Sequence, residues 1–222
     1  EAMKLELNGE WDFHPNDSEK GFPIVVPTWW DSLPVTTGYP TAWEKGLYHA
    51  VYRRTVHFDE KMFDEDIQLH VGALATLGKV FVNGVSVGPK STKGYLMTLL
   101  PYDLNINAAA HPGDNEILIE VWSVKQLPED ALAPEAGPDK LLFPFGVENI
   151  VGRVGIGGDV YVQTKPKLRV DDVQLIPDLK KNADPSDDEL TVNVTVVNHT
   201  NETHVVDVDV VVSPWAADSE LL

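Results

Sequence analysis

The chain has 222 residues, with no cysteine, 16 glycines, 16 prolines and six tryptophans; 35 acidic against 17 basic side chains give a formal charge of −18. That balance excludes a nucleic-acid surface, which needs clustered Lys and Arg, and the missing cysteine excludes disulfides, thiolate zinc sites and cysteine nucleophiles. No apolar run approaches the roughly 18–20 residues that cross a bilayer, so no membrane partner is expected. No hydrophobic leader is read at Glu1-Ala2-Met3-Lys4, and the compartment stays open between periplasmic or secreted and cytoplasmic.

Alternation with a period of two recurs along the chain, without a helical stripe of three turns. Over 51–58, Tyr52, Val56 and Phe58 share one face, with Arg53, Thr55 and His57 on the other. Ile67, Leu69 and Val71 alternate with Gln68 and His70. Asn83-Gly84 between Val80-Phe81-Val82 and Val85-Ser86-Val87 predicts a hairpin, because both residues tolerate positive φ. Gly113-Asp114-Asn115 predicts a turn into a half-buried strand carrying Ile117, Ile119 and Val121, and Val160-Tyr161-Val162 closes the region. Many short strands with Gly/Pro/Asn punctuation predict an all-β fold: a jelly-roll, galactose-binding-like sandwich over 1–165.

Composition changes at Lys165-Pro166. Beyond it, Val173 and Leu175 mark one strand, Leu190 to Val196 a second and Val206 to Val212 a third, with a polar connection over 198–204. Three strands cannot close an immunoglobulin-like core, which takes about seven strands and ~100 residues. Residues 166–222 are therefore expected to be the first strands of an incomplete immunoglobulin-like sandwich. Their exposed edges suit docking on the first domain or pairing with a second copy of the chain, a homodimer through the C-terminal strands.

Chemistry-bearing motifs are sparse. The seven histidines show no metal-ligand spacing, so no metal site and no cofactor is expected. His57 and His70, on the outward phase of their strands, read as solvated. Asp187-Asp188-Glu189 reads as a solvated turn rather than a calcium loop. Asn-x-Ser/Thr sequons stand at Asn16, Asn193, Asn198 and Asn201, which matter only in a glycosylating pathway. Aromatic side chains offer two readings. Trp29-Trp30, with Tyr39, Trp43 and Tyr48 in the Gly/Pro-containing loop that follows, could stack on sugar faces; alternatively Trp11, Phe13 and Trp122 are core and Trp29-Trp30 pack an interface.

Several segments, in order, resemble family 2 glycoside hydrolases, the β-galactosidases, β-glucuronidases and β-mannosidases. They are Leu7-Asn8-Gly9-Glu10-Trp11-Asp12-Phe13, Val26-Pro27 with Trp30, Tyr52-Arg53-Arg54 leading to Phe58, and Val80-Phe81-Val82-Asn83-Gly84 with Val87-Gly88. Gly94-Tyr95 to Asp103, Gly113-Asp114-Asn115 and Gly155-Ile156 with Asp159-Val160-Tyr161 complete the set. The resemblance implies a noncatalytic N-terminal sugar-binding domain, then an immunoglobulin-like domain, then a catalytic barrel downstream. The parent enzyme it implies is a retaining hydrolase of the β-galactosidase type, acting on a β-glycoside.

In such enzymes both carboxylates of the retaining mechanism, about 5–5.5 Å apart, lie in the barrel. The acid/base Glu there follows an Asn; here Asn115-Glu116 opens a strand and Asn201-Glu202 sits in the 198–204 connection. No catalytic residue is therefore expected, and the chain should hydrolyse nothing. What the resemblance implies instead is substrate positioning by two loops. Trp43 and Tyr48 precede the strand at 51–58, and Glu148, Asn149 and Arg153 lie in the long loop 123–154. Gly157-Gly158 depart from the pattern, which usually has an aromatic residue and Arg there. A stand-alone carbohydrate-binding module and a purely structural β-sandwich are the rival readings.

Overall fold

The period-two segments form strands. The computed structural model describes residues 2–16, 18–30, 46–97, 100–123, 127–131, 154–180 and 188–213. Among them the strands are β1 (Lys4–Glu6), β2 (Gly9–Pro15), β3 (Phe22–Val26), β4 (Thr28–Trp29), β5 (His49–Phe58), β6 (Asp66–Val71), β7 (Leu74–Ala75) and β8 (Leu77–Val82). There follow β9 (Val85–Ser86), β10 (Tyr95–Met97), β11 (Tyr102–Asn105), β12 (Gly113–Trp122), β13 (Gly155–Ile156), β14 (Val160–Lys165), β15 (Leu168–Asp178) and β16 (Glu189–Asn198). The only helical pieces among the described residues are short 3-10 turns at Glu60–Asp64, Lys90–Thr92 and Glu129–Ala131. None is long or apolar enough to cross a membrane.

The chain divides into two compact units, Glu1–Pro166 and Lys167–Leu222. In the first, a four-stranded antiparallel sheet (β1-β14-β6-β11) and a seven-stranded one (β10-β8-β12-β5-β2-β3, with β9 on β8) share one core. Ile67, Leu69, Val71, Val160 and Val162 come from the first sheet. Trp11, Phe13, Tyr52, Phe58, Val80, Ile117 and Ile119 come from the second. This is an all-β sandwich of the predicted kind. Phe13 is its aromatic hub, with ring centroids 4.9 Å from Tyr52, 5.2 Å from Phe22 and 6.3 Å from Trp30. The two buried indole N–H groups are both satisfied: Trp11 Nε1 donates to the Leu7 carbonyl at 2.8 Å, and Trp30 Nε1 donates to the Tyr52 hydroxyl at 2.7 Å.

The motifs read in sequence meet in space as staples of this sandwich. At Asn83-Gly84 both φ angles are positive (51° and 79°), the geometry of a two-residue hairpin. Asn83 Nδ2 donates to the Ala109 carbonyl and to Asn115 Oδ1, and Asn83 Oδ1 accepts the Glu116 N–H. Asn115, buried, donates to the carbonyls of His111 and Gly113 and accepts the His111 N–H. At the other end, Asn8 Nδ2 donates to Asp159 Oδ1 and Asn8 Oδ1 accepts the Val160 N–H, both at 2.9 Å. Arg54 shares the inward phase of Tyr52 and Val56, yet it reaches the sandwich edge and donates to the Leu7 carbonyl at 2.7 Å.

In the second unit β15 and β16 form a hairpin sheet, with a register shift between Val170 and Asp172. The apolar pairs Val170–Val196, Val173–Val194 and Leu175–Val192 fall on one face. The expected third strand over Val206–Val212 is not formed: these residues are described but make no ladder. They run beside the hairpin's apolar face, and Val208 to Val212 line a groove of about 480 Å³ with Val173, Leu175, Val192 and Val194. The alternation was read correctly as apolar. A ladder also needs a strand edge in register, which alternation alone does not specify.

Of the two histidines expected to be solvated, His57 is exposed and His70 is the correction. His70 is largely covered: its ring stacks on Tyr161 at 4.3 Å, its Nδ1 lies 2.7 Å from Asp103 Oδ1, and its side chain is only 18% exposed. His57 is exposed but paired with Asp114 at 2.8 Å.

Candidate functional site

Both loops expected to meet substrate leave the sandwich at one end. Trp30, the last described residue before 31–45, donates its N–H to the carbonyl of Val154, the first described residue after 132–153, at 2.7 Å. Behind this bond β13 pairs on one side with β4 (Gly155 opposite Trp29) and on the other with β7 (Gly155 opposite Ala75). The return end of the first loop is joined to the departing end of the second in the same way. The Ser123 N–H donates to the Tyr48 carbonyl at 2.7 Å, continuing the β5–β12 ladder that ends at His49 opposite Trp122. Thr76 closes the circuit, its N–H donating to the Trp122 carbonyl at 3.3 Å. Two segments about a hundred residues apart in sequence thus rise from one hydrogen-bonded base.

The floor of that base is aromatic and polar. His49 stacks on Trp122 with ring centroids 5.0 Å apart, and Tyr95 meets the Trp122 ring edge-on at 5.9 Å. Tyr95, Leu77 and Ala131 form a small core of their own, with Trp122 and Leu127 against it. The Tyr95 hydroxyl donates to Asp130 Oδ1 at 2.6 Å and Lys93 Nζ to the Asp130 carbonyl at 3.2 Å, fixing the last turn before 132–153. Burial first, and then the Asp130 carboxylate, hold the Tyr95 hydroxyl's pKa above its usual value, so it stays a donor. His49, Thr76 and Ser123 are buried polar residues gathered at this end.

Of the expected site residues, Tyr48 stands at the base. It is half-buried, its N–H bound to Asn16 Oδ1 at 2.9 Å, and its phenol end closes over Gly46, where a Cβ would sit 2.7 Å from the hydroxyl oxygen. Trp43, Glu148, Asn149 and Arg153 lie outside the described residues. Of the tryptophan pair, Trp30 is buried in the core, whereas Trp29 is half-buried with its indole against Gly157. A Cβ at Gly157 would lie 1.8 Å from the Trp29 ring and one at Gly158 2.2 Å from the Ala73 nitrogen. The double glycine that departs from the family-like pattern therefore has a steric cause: the Trp29 indole occupies the space at Gly157, and the Gly72-Ala73 backbone the space at Gly158. Trp122 corrects the core reading, because it sits on the outward phase of β12 and is half-buried on the platform.

Asn16 was missed. The sequence marks it only as a sequon, but its side chain is fully engaged: Oδ1 accepts the N–H groups of Tyr48 and His49, and Nδ2 donates to the Gly46 carbonyl at 2.8 Å. In the structure Asn16 is left-handed (φ 46°) at the end of β2, a conformation that Asn tolerates better than most residues. The two Asn-Glu pairs are structural or exposed. Asn115 is locked in its network and Glu116 pairs with Arg53 at 3.3 Å, while Glu202 lies in an exposed turn. Among the described residues no group of three or more His, Asp or Glu side chains is placed to hold a metal ion.

No protein-family model and no curated protein sequence matches the chain. Solved structures do. The β-D-glucuronidase of Dictyoglomus thermophilum superposes with a TM-score of 0.61 at 20% identity, over 88% of this chain and 33% of that one. A β-glucuronidase of an uncultured Clostridium species gives 0.61 at 18% identity, over 88% and 34%. The β-glucuronidase of Ruminococcus gnavus gives 0.59 at 17% identity, over 88% and 33%. The chain spans about a third of the length of these enzymes and shares with that third its all-β fold.

Proposed function

We propose that the chain is the noncatalytic sugar-binding region of a retaining β-glycoside hydrolase, whose two loops help to shape the substrate site of a catalytic barrel elsewhere in the same protein. The observation that carries this reading is the shared base at Trp30–Val154 and Tyr48–Ser123. It joins the described ends of the two segments in which Trp43 and Glu148, Asn149 and Arg153 stand in sequence, and that supports the reading. An aromatic ring for the sugar's C–H face and a few polar groups for its hydroxyls are what such a site requires. The resemblance in sequence pointed to β-galactosides, and the matched structures are β-glucuronidases; a uronate carboxylate is the sugar group that an arginine side chain pairs with best.

The test is titration of the isotope-labelled chain with a β-glucuronide and a β-galactoside, beside a hydrolysis assay with chromogenic versions of each. Shifts at Tyr48, Trp122 and Ser123, with affinity at about the millimolar level expected of a half-site, and no turnover would support the proposal. Hydrolysis by the chain itself, or no shift at the base with either sugar, would overturn it; the second result favours a purely structural sandwich.

A further inference from the structure

The turn between β2 and β3 grips the base of the first loop, and one imidazole grips the turn. His14 Nε2 lies 2.7 Å from Asp12 Oδ2 and His14 Nδ1 lies 2.9 Å from the Ser18 carbonyl. Both partners only accept hydrogen bonds, so both ring nitrogens must donate, and the ring that satisfies this geometry is the imidazolium cation. Gly21 closes over the pair: a Cβ there would fall 2.3 Å from Asp12 Oδ1 and 2.6 Å from His14 Nε2. Ser18 Oγ bonds both the carbonyl and the N–H of Lys20, so the turn is internally braced. From this turn Asn16 reaches across to Gly46, Tyr48 and His49, and its own N–H donates to the His49 carbonyl at 2.7 Å.

We infer that the β2–β3 turn is a pH-dependent clasp, in which the charged His14 fixes Ser18 and thereby holds Asn16 on residues 46–49, the end at which the chain returns from residues 31–45. Loss of one proton leaves a lone pair facing an acceptor. The carboxylate is the stronger acceptor and keeps its N–H, so the Ser18 carbonyl is the contact released. The Asp12 bond first, then the Ser18 bond, hold the His14 pKa above 6.5, while burial and, less, Arg53 on β5 oppose them. The other charged or titratable groups on neighbouring strands are His49 on β5 and Glu116 on β12, the latter engaged with Arg53; Glu19 and Lys20 belong to the turn, and Asp17 lies outside the described residues. By sign, a raised histidine pKa means the clasp is closed in acid and opens as pH climbs through that pKa. Its consequence for ligand rests on the sugar-binding reading; its test does not.

The test follows the Asn16 side-chain amide and the backbone amides of Ser18, Gly46 and Tyr48 by NMR in the labelled protein from roughly pH 5 to 9. All four should move with one midpoint above 6.5, shared with the His14 ring, and His14→Gln should abolish that transition while the β5 and β12 amides stay dispersed. Asp12→Asn, which keeps the ring, should pull the midpoint down toward 6.5. A titrating His14 with a static Asn16 amide, a transition that survives His14→Gln, or a midpoint unmoved by Asp12→Asn would each overturn the clasp. These readouts need no sugar, so failure of the sugar titrations leaves them informative.

Discussion

Asn115 shows how a single polar side chain fixes a strand end. It is 1% exposed and uses donors and acceptor on His111, Gly113 and Asn83. Asn115→Ala would take its partner from the carbonyls of His111 and Gly113 and from the N–H groups of His111 and Asn83 in a part-buried turn, and we expect a loss of about 1–3 kcal/mol in urea unfolding. Glu116→Ala next to it, on a side chain 46% exposed, should cost no more than about 1 kcal/mol. Tyr52 supplies a second residue-scale test. Burial raises its phenol pKa well above 10.0, against smaller opposite effects of its bonds with Trp30 and Ile156. The unfolded chain ionises this group near 10 and the folded chain does not, so its contribution is intact below pH 10 and falls away above it. Phenolate absorbance from Tyr52 should appear only together with unfolding, and Tyr52→Phe should flatten the alkaline decline in stability.

At the scale of elements, the junction of β4 and β13 is where backbone and side chain approach most closely. Trp29 lies over Gly157, so Gly157→Ala has no room for its methyl unless the indole moves. The expected cost is about 1–3 kcal/mol, with a red shift in tryptophan emission as Trp29 meets water; an unchanged spectrum and melting temperature would contradict the stacking. The same scale shows what the sequence made legible. The hairpin at Asn83-Gly84 and the phase of β5 follow directly from local chemistry, because turn residues and alternation act over a few positions. Arg54 does not: its alternation phase says core, and only the tertiary position of the Leu7 carbonyl explains a cation there. The valines of 206–212 misled in the opposite direction, since alternation reports an apolar face and not a hydrogen-bonded neighbour. Asn16 was illegible for a related reason. Its partners lie 30 to 33 residues away, and nothing in the residues around it names them.

For the whole molecule, the family-like motifs turn out to hold the sandwich together. Asn8 with Asp159, Arg54 with Leu7, and Asn83 with Asn115 are ties between parts of the chain far apart in sequence. The base formed by Trp30–Val154 and Tyr48–Ser123 adds two more such ties. Below it, sequence is constrained by packing, since the strands it closes carry the buried core. A library that exchanges 31–45 and 132–153 together would therefore graft both segments onto four anchor residues that bond one another in pairs, Trp30 with Val154 and Tyr48 with Ser123, much as paired hypervariable loops are grafted onto the fixed strand ends of an antibody domain.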